Sequence, residues 1–154
     1  MFDTICIQSP YIDLQTANKV EQFAVKRMGL EVKTGEIFYC ITTAQLKGTY
    51  DSSIQIKVDY EEFKTVEDGF GKKISIKKPI KPDANGLPTQ AIITIECSIN
   101  KLVQGHNVFG GSDDFKQFQL LIKFLEKEID VKFPPFYSWY LRRLDYALVF
   151  VLGE

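Results

Sequence analysis

The alternation of apolar and polar positions changes period several times along the chain, and each change marks an element. Thr4 to Gln8 alternate around Ile5 and Ile7 as in a short strand, which Ser9 and Pro10 break. Asp13 stands at an N-cap position. Leu14, Ala17, Val20, Ala24 and Met28 follow at spacings of three and four, and Gly29 fits the position just past a helix end. A helix from Asp13 to Met28 is therefore expected. Strand character then takes over: Ile37 to Thr42 is β-branched and aromatic, and Ile54, Ile56, Val58 and Tyr60 alternate. The turn residues Lys47-Gly48-Thr49-Tyr50-Asp51 between these runs predict an antiparallel hairpin.

Further on, Ile74 and Ile76 predict a strand, and Pro79, Pro82, Asn85-Gly86 and Pro88 a long exposed turn after it. Gln90 to Cys97 is the clearest strand and is expected at the centre of a sheet. Gln104 to Ser112 is a Gly-rich turn. Ser112, with Asp113 and Asp114 behind it, opens a second helix whose stripe is Phe115, Phe118, Leu121 or Ile122, Leu125 and Ile129. Lys132 to Trp139 reads as an aromatic loop and Arg143 to Leu152 as a last strand. The order β-α-β-β-β-β-α-β predicts an α+β fold, an antiparallel sheet of about five to six strands with both helices on one face.

A length of 154 residues fits one domain, residues 1–154, and 45% apolar with 25% charged residues is ordinary for a globular chain. No apolar run approaches the ~20 residues of a membrane span, and the start lacks a secretory leader. The three cysteines, Cys6, Cys40 and Cys97, sit among apolar neighbours and read as reduced core residues of a cytoplasmic protein. Lys plus Arg total 19 against 20 Asp plus Glu, which excludes a uniformly basic coat but not a local patch. Such a patch exists in Lys72, Lys73, Lys77, Lys78 and Lys81, either a basic finger for phosphates or a solvated face.

Three residues carry metal-ligand chemistry in informative places. His106, the only histidine, lies in Gln104-Gly105-His106-Asn107-Val108-Phe109-Gly110-Gly111, ahead of a helix N-terminus. It is a ligand for a divalent ion or phosphate, or part of a tight turn with Asn107. Asp145 lies in the apolar strand Arg142-Arg143-Leu144-Asp145-Tyr146, where it needs either a metal ion or a neighbouring arginine as partner. Glu96 interrupts an apolar run, at an exposed edge or as a third ligand for Mg²⁺ or Mn²⁺. The aromatic residues Phe133, Phe136, Tyr137, Trp139 and Tyr140 either stack on unpaired bases or cover the core. Ser/His/Asp and Cys/His nucleophile signatures are missing, as are the dinucleotide and Walker spacings.

Three segments together resemble a known family. Met1-Phe2-Asp3-Thr4-Ile5 with Pro10-Tyr11-Ile12-Asp13, the loop QGHNVFGG at 104–111 and the strand RRLDYALVF at 142–150 are similar to the gene II/X family of phage and plasmid rolling-circle replication initiators. The resemblance implies an origin-binding protein that nicks one strand through a tyrosine hydroxyl, leaving a 5′-phosphotyrosyl bond and a free 3′-hydroxyl. It implies a divalent metal on Glu96, His106 and Asp145. It also implies DNA as partner, as double-stranded origin, hairpin or single strand, with Lys72, Lys73, Lys77, Lys78, Lys81, Asn107, Arg142 and Arg143 as contacts. Host replication proteins are further partners on this reading, and a membrane is not. Family members run well beyond this length, and the nucleophilic tyrosine is expected on a helix past Glu154. The chain is thus expected to be the N-terminal part of a longer initiator. A His-apolar-His pair is absent. A DNA-binding regulator without chemistry and a small protein-interaction domain stand as alternatives.

Overall fold

In Gln90–Cys97 the residues Ala91, Ile93, Ile95 and Cys97 are buried on one side, while Thr94 and Glu96 turn to the other. That alternation fixes a two-faced sheet. A computed structural model of the chain describes residues 2–47, 53–99, 102 and 114–146. Its strands are β1 (Phe2–Gln8), β2 (Ile12–Asp13), β3 (Ala24–Leu30), β4 (Ile37–Lys47), β5 (Ser53–Asp59), β6 (Glu61–Glu67), β7 (Lys73–Pro79), β8 (Gln90–Cys97) and β9 (Tyr140–Tyr146). Two helices, α1 (Leu14–Glu21) and α2 (Asp114–Ile129), and a 3-10 turn at Phe136–Ser138 complete the described elements.

The main sheet runs β3-β4-β5-β8-β1-β9, and β2 adds to β8; every pairing is antiparallel. β8 is central, as its sequence predicts. The expected β4–β5 hairpin also forms, with Ala44 opposite Ile56 and Lys47 opposite Ser53. Ile7, Ile54, Ile56, Ile93, Ile95 and Cys97 make one continuous core with Ala17 and Val20 of α1 and Leu121, Ile122, Leu125 and Ile129 of α2. Both helices thus cover the same face, and the fold is α+β. At the end of β1 the buried Ser9 stands in for a backbone partner: its Oγ accepts from the Ile93 N–H at 2.9 Å, and its own N–H donates to the Ile93 carbonyl at 2.8 Å.

Three expectations need correction. Helix α1 starts at the Asp13 cap, where Oδ1 accepts from the Thr16 N–H at 2.8 Å, but it ends at Glu21 and not at Met28. Ala24 to Leu30 instead pair along β4. A spacing of four, as between Ala24 and Met28, keeps two residues on one face of a strand as well as of a helix, and the ladder to the β-branched strand β4 decided between them. Next, β6 has no counterpart among the expected strands; it joins β7 in a separate two-stranded ribbon. The turn after β7 is exposed over residues 81–87, as expected, while the buried Ile80 anchors its start, its N–H donating to the Tyr60 carbonyl at 2.9 Å. Last, β9 begins three residues before Arg143, at Tyr140.

The helices brace one another. α2 is followed by Asp130, which adopts the left-handed conformation (φ 56°), and Lys19 of α1 donates to the Asp130 carbonyl at 2.7 Å. Among the described residues, no helix is long and apolar enough to cross a membrane.

Candidate functional site

Strand alternation sends Thr4, Cys6 and Gln8 of β1 to the face that the helices leave uncovered, because Ile7 on the same strand faces the core. Register then builds a row across three strands: Glu96 of β8 lies opposite Cys6, and Cys6 opposite Arg143 of β9. Arg143 Nη2 donates to Glu96 Oε1 at 2.6 Å, and its Nε lies 3.3 Å from Asp145 Oδ2. The hydrogen bond to Glu96 and the charges of both carboxylates raise the Arg143 pKa further above its ordinary value. All three side chains are about half exposed, so the pairs add little to folding stability; they hold charges in place.

A bulge shapes the same region. Ile7 pairs with Leu141 and Cys6 with Arg143, which leaves Arg142 as the extra residue. Strict alternation would turn Arg142 to the helix side; the bulge places it beside Cys6, Gln8 and Tyr140 in the wall of a cleft of about 1030 Å³. Lys57 and Thr94 also line this cleft from the sheet, and Tyr11, Glu62, Phe63 and Lys77 line its other side. Tyr11 donates to Glu62 Oε2 at 2.8 Å, which raises the phenol's pKa and lowers that of the carboxyl, and Lys64 lies 3.0 Å from Glu62 Oε1. Lys57 is paired with Asp59 at 2.7 Å.

The sequence-nominated residues separate into groups. Glu96, Asp145 and Arg143 come together, and Glu96 lies on the central strand rather than at an exposed edge. Arg142 and Lys77 both line the cleft. Lys73 and Lys78 stand opposite Glu67 and Glu62 in the β6–β7 register, and Lys72 lies in the turn before β7. Lys81 sits over the Tyr11 ring at 5.2 Å, and Lys77 over Phe63 at 5.5 Å. His106 and Asn107 lie outside the described residues, as do Ser112 and Asp113. The aromatic loop mostly covers the core: Phe133 is buried edge-to-face with Trp139 at 5.8 Å, and Phe136 packs on Phe115 at 4.4 Å. Tyr140 alone of that group lines the cleft.

Sequence reasoning missed Tyr11, Lys57, Glu62 and Phe63. The available signal was the Asp68-Gly69 turn, which flags a hairpin and would have brought β6 alongside the lysines. Of the cysteines, Cys97 is a core residue, and burial first, then the Glu96 charge, pushes its thiol up to about 12. Cys6 corrects the expectation. It lies on the polar face, where partial burial and then Glu96 raise its pKa while Arg143 and Arg142 oppose them. The side chain of Cys40 lies outside the description.

Two carboxylates reaching one point are the hard oxygen donors that Mg²⁺ or Mn²⁺ prefers, so Glu96 and Asp145 fit such an ion by chemistry. The Arg143 guanidinium holds both. Among the described residues no group of three or more His, Cys, Asp and Glu side chains is poised for a metal.

A family model for the N-terminal part of a phage replication-associated protein, the Phage_CRI family, matches residues 1–151. The chain belongs to that family. No curated protein and no solved structure matches it. Membership in the Phage_CRI family places the chain in phage DNA replication, with an initiator's role.

Proposed function

We propose that this Phage_CRI chain is the DNA-engaging part of a rolling-circle initiator of the gene II/X type. On this reading its uncovered sheet face meets the DNA backbone. The observation that carries it is the meeting of Glu96 of β8 and Asp145 of β9 on Arg143, toward the β9 edge of that face. Arg142, Lys77 and the remaining lysines supply phosphate contacts. Glu96 and Asp145, with His106, would hold a divalent ion, which when bound polarises the scissile phosphate. Arg143 keeps the two carboxylates together before the ion competes for them. The strand is opened by a tyrosine hydroxyl, with the 5′-phosphate passing to the phenol and the 3′-oxygen leaving. Tyr11 and Tyr60 are poor nucleophiles, since the hydrogen bond to Glu62 and burial, respectively, raise their pKa values.

The Arg143 ion pairs also favour a second reading, a DNA-binding regulator that does no chemistry. Fluorescence anisotropy with labelled duplex, hairpin and single-stranded DNA at two salt concentrations, with and without Mn²⁺, separates the two. The initiator reading expects binding that weakens steeply with salt and tightens with Mn²⁺. It expects Asp145→Asn to abolish the Mn²⁺ effect while keeping the salt dependence. Binding indifferent to Mn²⁺ supports the regulator, and no binding to any DNA at low salt overturns both.

A further inference from the structure

The β6–β7 ribbon is fixed at its base and free at its tip. Near the base, Ile80 is buried, Tyr11 bonds to Glu62, and Lys81 covers the Tyr11 ring. Each strand runs seven residues, about 20 Å of extended chain counted from the base, and beyond Phe63 and Lys77 both faces are largely open. The tip is rigid. Asp68 Oδ1 accepts from the N–H groups of Phe70 at 2.9 Å and Lys72 at 2.8 Å, and Gly71 takes the left-handed conformation (φ 77°) that closes the turn. At its apex Phe70 is 98% exposed.

The turn itself does not require an aromatic ring there. The same device recurs at Asp83-Ala84-Asn85-Gly86-Leu87: Asp83 Oδ1 accepts from the Asn85 N–H at 2.8 Å and the Leu87 N–H at 2.9 Å, and Gly86 has φ 78°. In that second copy the position of Phe70 is held by Asn85, a polar residue suited to an exposed turn. A fully exposed phenylalanine contributes nothing to folding and forgoes the benefit of burial. Its location, at the end of a projecting two-stranded arm with Lys72 and Lys73 directly behind it, matches the way β-ribbons enter a nucleic-acid groove and apolar wedges part a base step.

We propose that the β6–β7 ribbon is an arm that enters a groove of duplex DNA and that Phe70 at its tip inserts between base pairs, unstacking one step. The inference rests on the DNA-binding reading above and adds to it a strand-opening element remote from Glu96, Arg143 and Asp145. Lys72 and Lys73 position the arm on phosphates; Phe70 does the unstacking.

The test uses the full chain and origin duplexes carrying 2-aminopurine at successive positions, read by anisotropy for binding and by 2-aminopurine emission for unstacking. The wild type is expected to bind and to raise emission at one step. Phe70→Asn, which copies the second turn and keeps the Asp68 clamp, is expected to lose that rise and to bind about tenfold more weakly, with the same salt dependence. A far-UV spectrum and melting temperature equal to wild type confirm that the fold is intact, as the exposure of Phe70 requires. Emission that rises equally with Phe70→Asn, or at no position although the wild type binds, overturns the wedge and leaves the DNA reading standing. Failure of the wild type to bind any duplex at low salt overturns the wedge, and failure to bind hairpin and single-stranded DNA as well overturns the DNA reading with it.

Discussion

Asp13 shows how much one side chain sets. It closes α1 through both oxygens, Oδ1 to the Thr16 N–H and Oδ2 to the Thr16 hydroxyl, each at 2.8 Å. Asp13→Ala should lower stability by about 1 kcal/mol in urea denaturation, and Asp13→Asn by less. The bond from the Thr16 backbone, followed by that from its hydroxyl, lowers the Asp13 pKa below its ordinary 3.8. Its contribution is therefore complete above that ordinary value and is lost as pH falls through the lowered one. The Asn variant should lack this acid-limb component, which denaturation curves at stepped pH would reveal. This cap was legible in the sequence, as was a neighbouring arginine as one candidate partner of Asp145. Arg142 was not: its side is decided by a bulge, and a bulge depends on which two residues of one strand meet a single residue of its neighbour.

Among elements, the β6–β7 ribbon is the one least supported by the core. Its strands meet only each other in the sheet order, so its stability is local, and the turn geometry matters more than it would inside the main sheet. A Cβ at Gly71 would meet no neighbouring atom, but the positive φ there strains any other L-residue. Gly71→Ala should destabilise the ribbon by about 1–2 kcal/mol. Amide exchange should then quicken in residues 61–79 and stay unchanged in β8; equal acceleration in both would show that the ribbon unfolds only with the whole protein. The ribbon was half legible. Ile74 and Ile76 announced β7, whereas Glu61–Glu67 has too few apolar residues to show a period, because both faces of this strand are largely open.

At the scale of the molecule, stability comes from one apolar layer between the sheet and two helices. Leu125 is completely buried in it. Leu125→Ala should cost about 2–5 kcal/mol, the range for a large-to-small change in a close-packed core. Cys97 gives a direct readout: with its thiol buried and pushed up to about 12, it should be alkylated only through unfolding. The Leu125→Ala variant should therefore label faster at Cys97, as followed by peptide mass spectrometry under native conditions. Labelling of Cys97 at the wild-type rate would mean that α2 does not hold the sheet face closed.

The sequence by itself determined the elements whose pattern is local and redundant: the α1 start, α2, the alternation of β1 and β8, and the family resemblance in segments that the family match then spanned. Each rests on periodicity, on a cap or on a short motif within a few residues, which needs no distant partner to be read. Only the tertiary structure decided where α1 stops, that β8 separates β5 from β1, and that Glu96 reaches Arg143 across β1. Those outcomes depend on strand order and register, and antiparallel pairing brings together residues such as Glu96 and Arg143, 47 positions apart, that no local pattern connects.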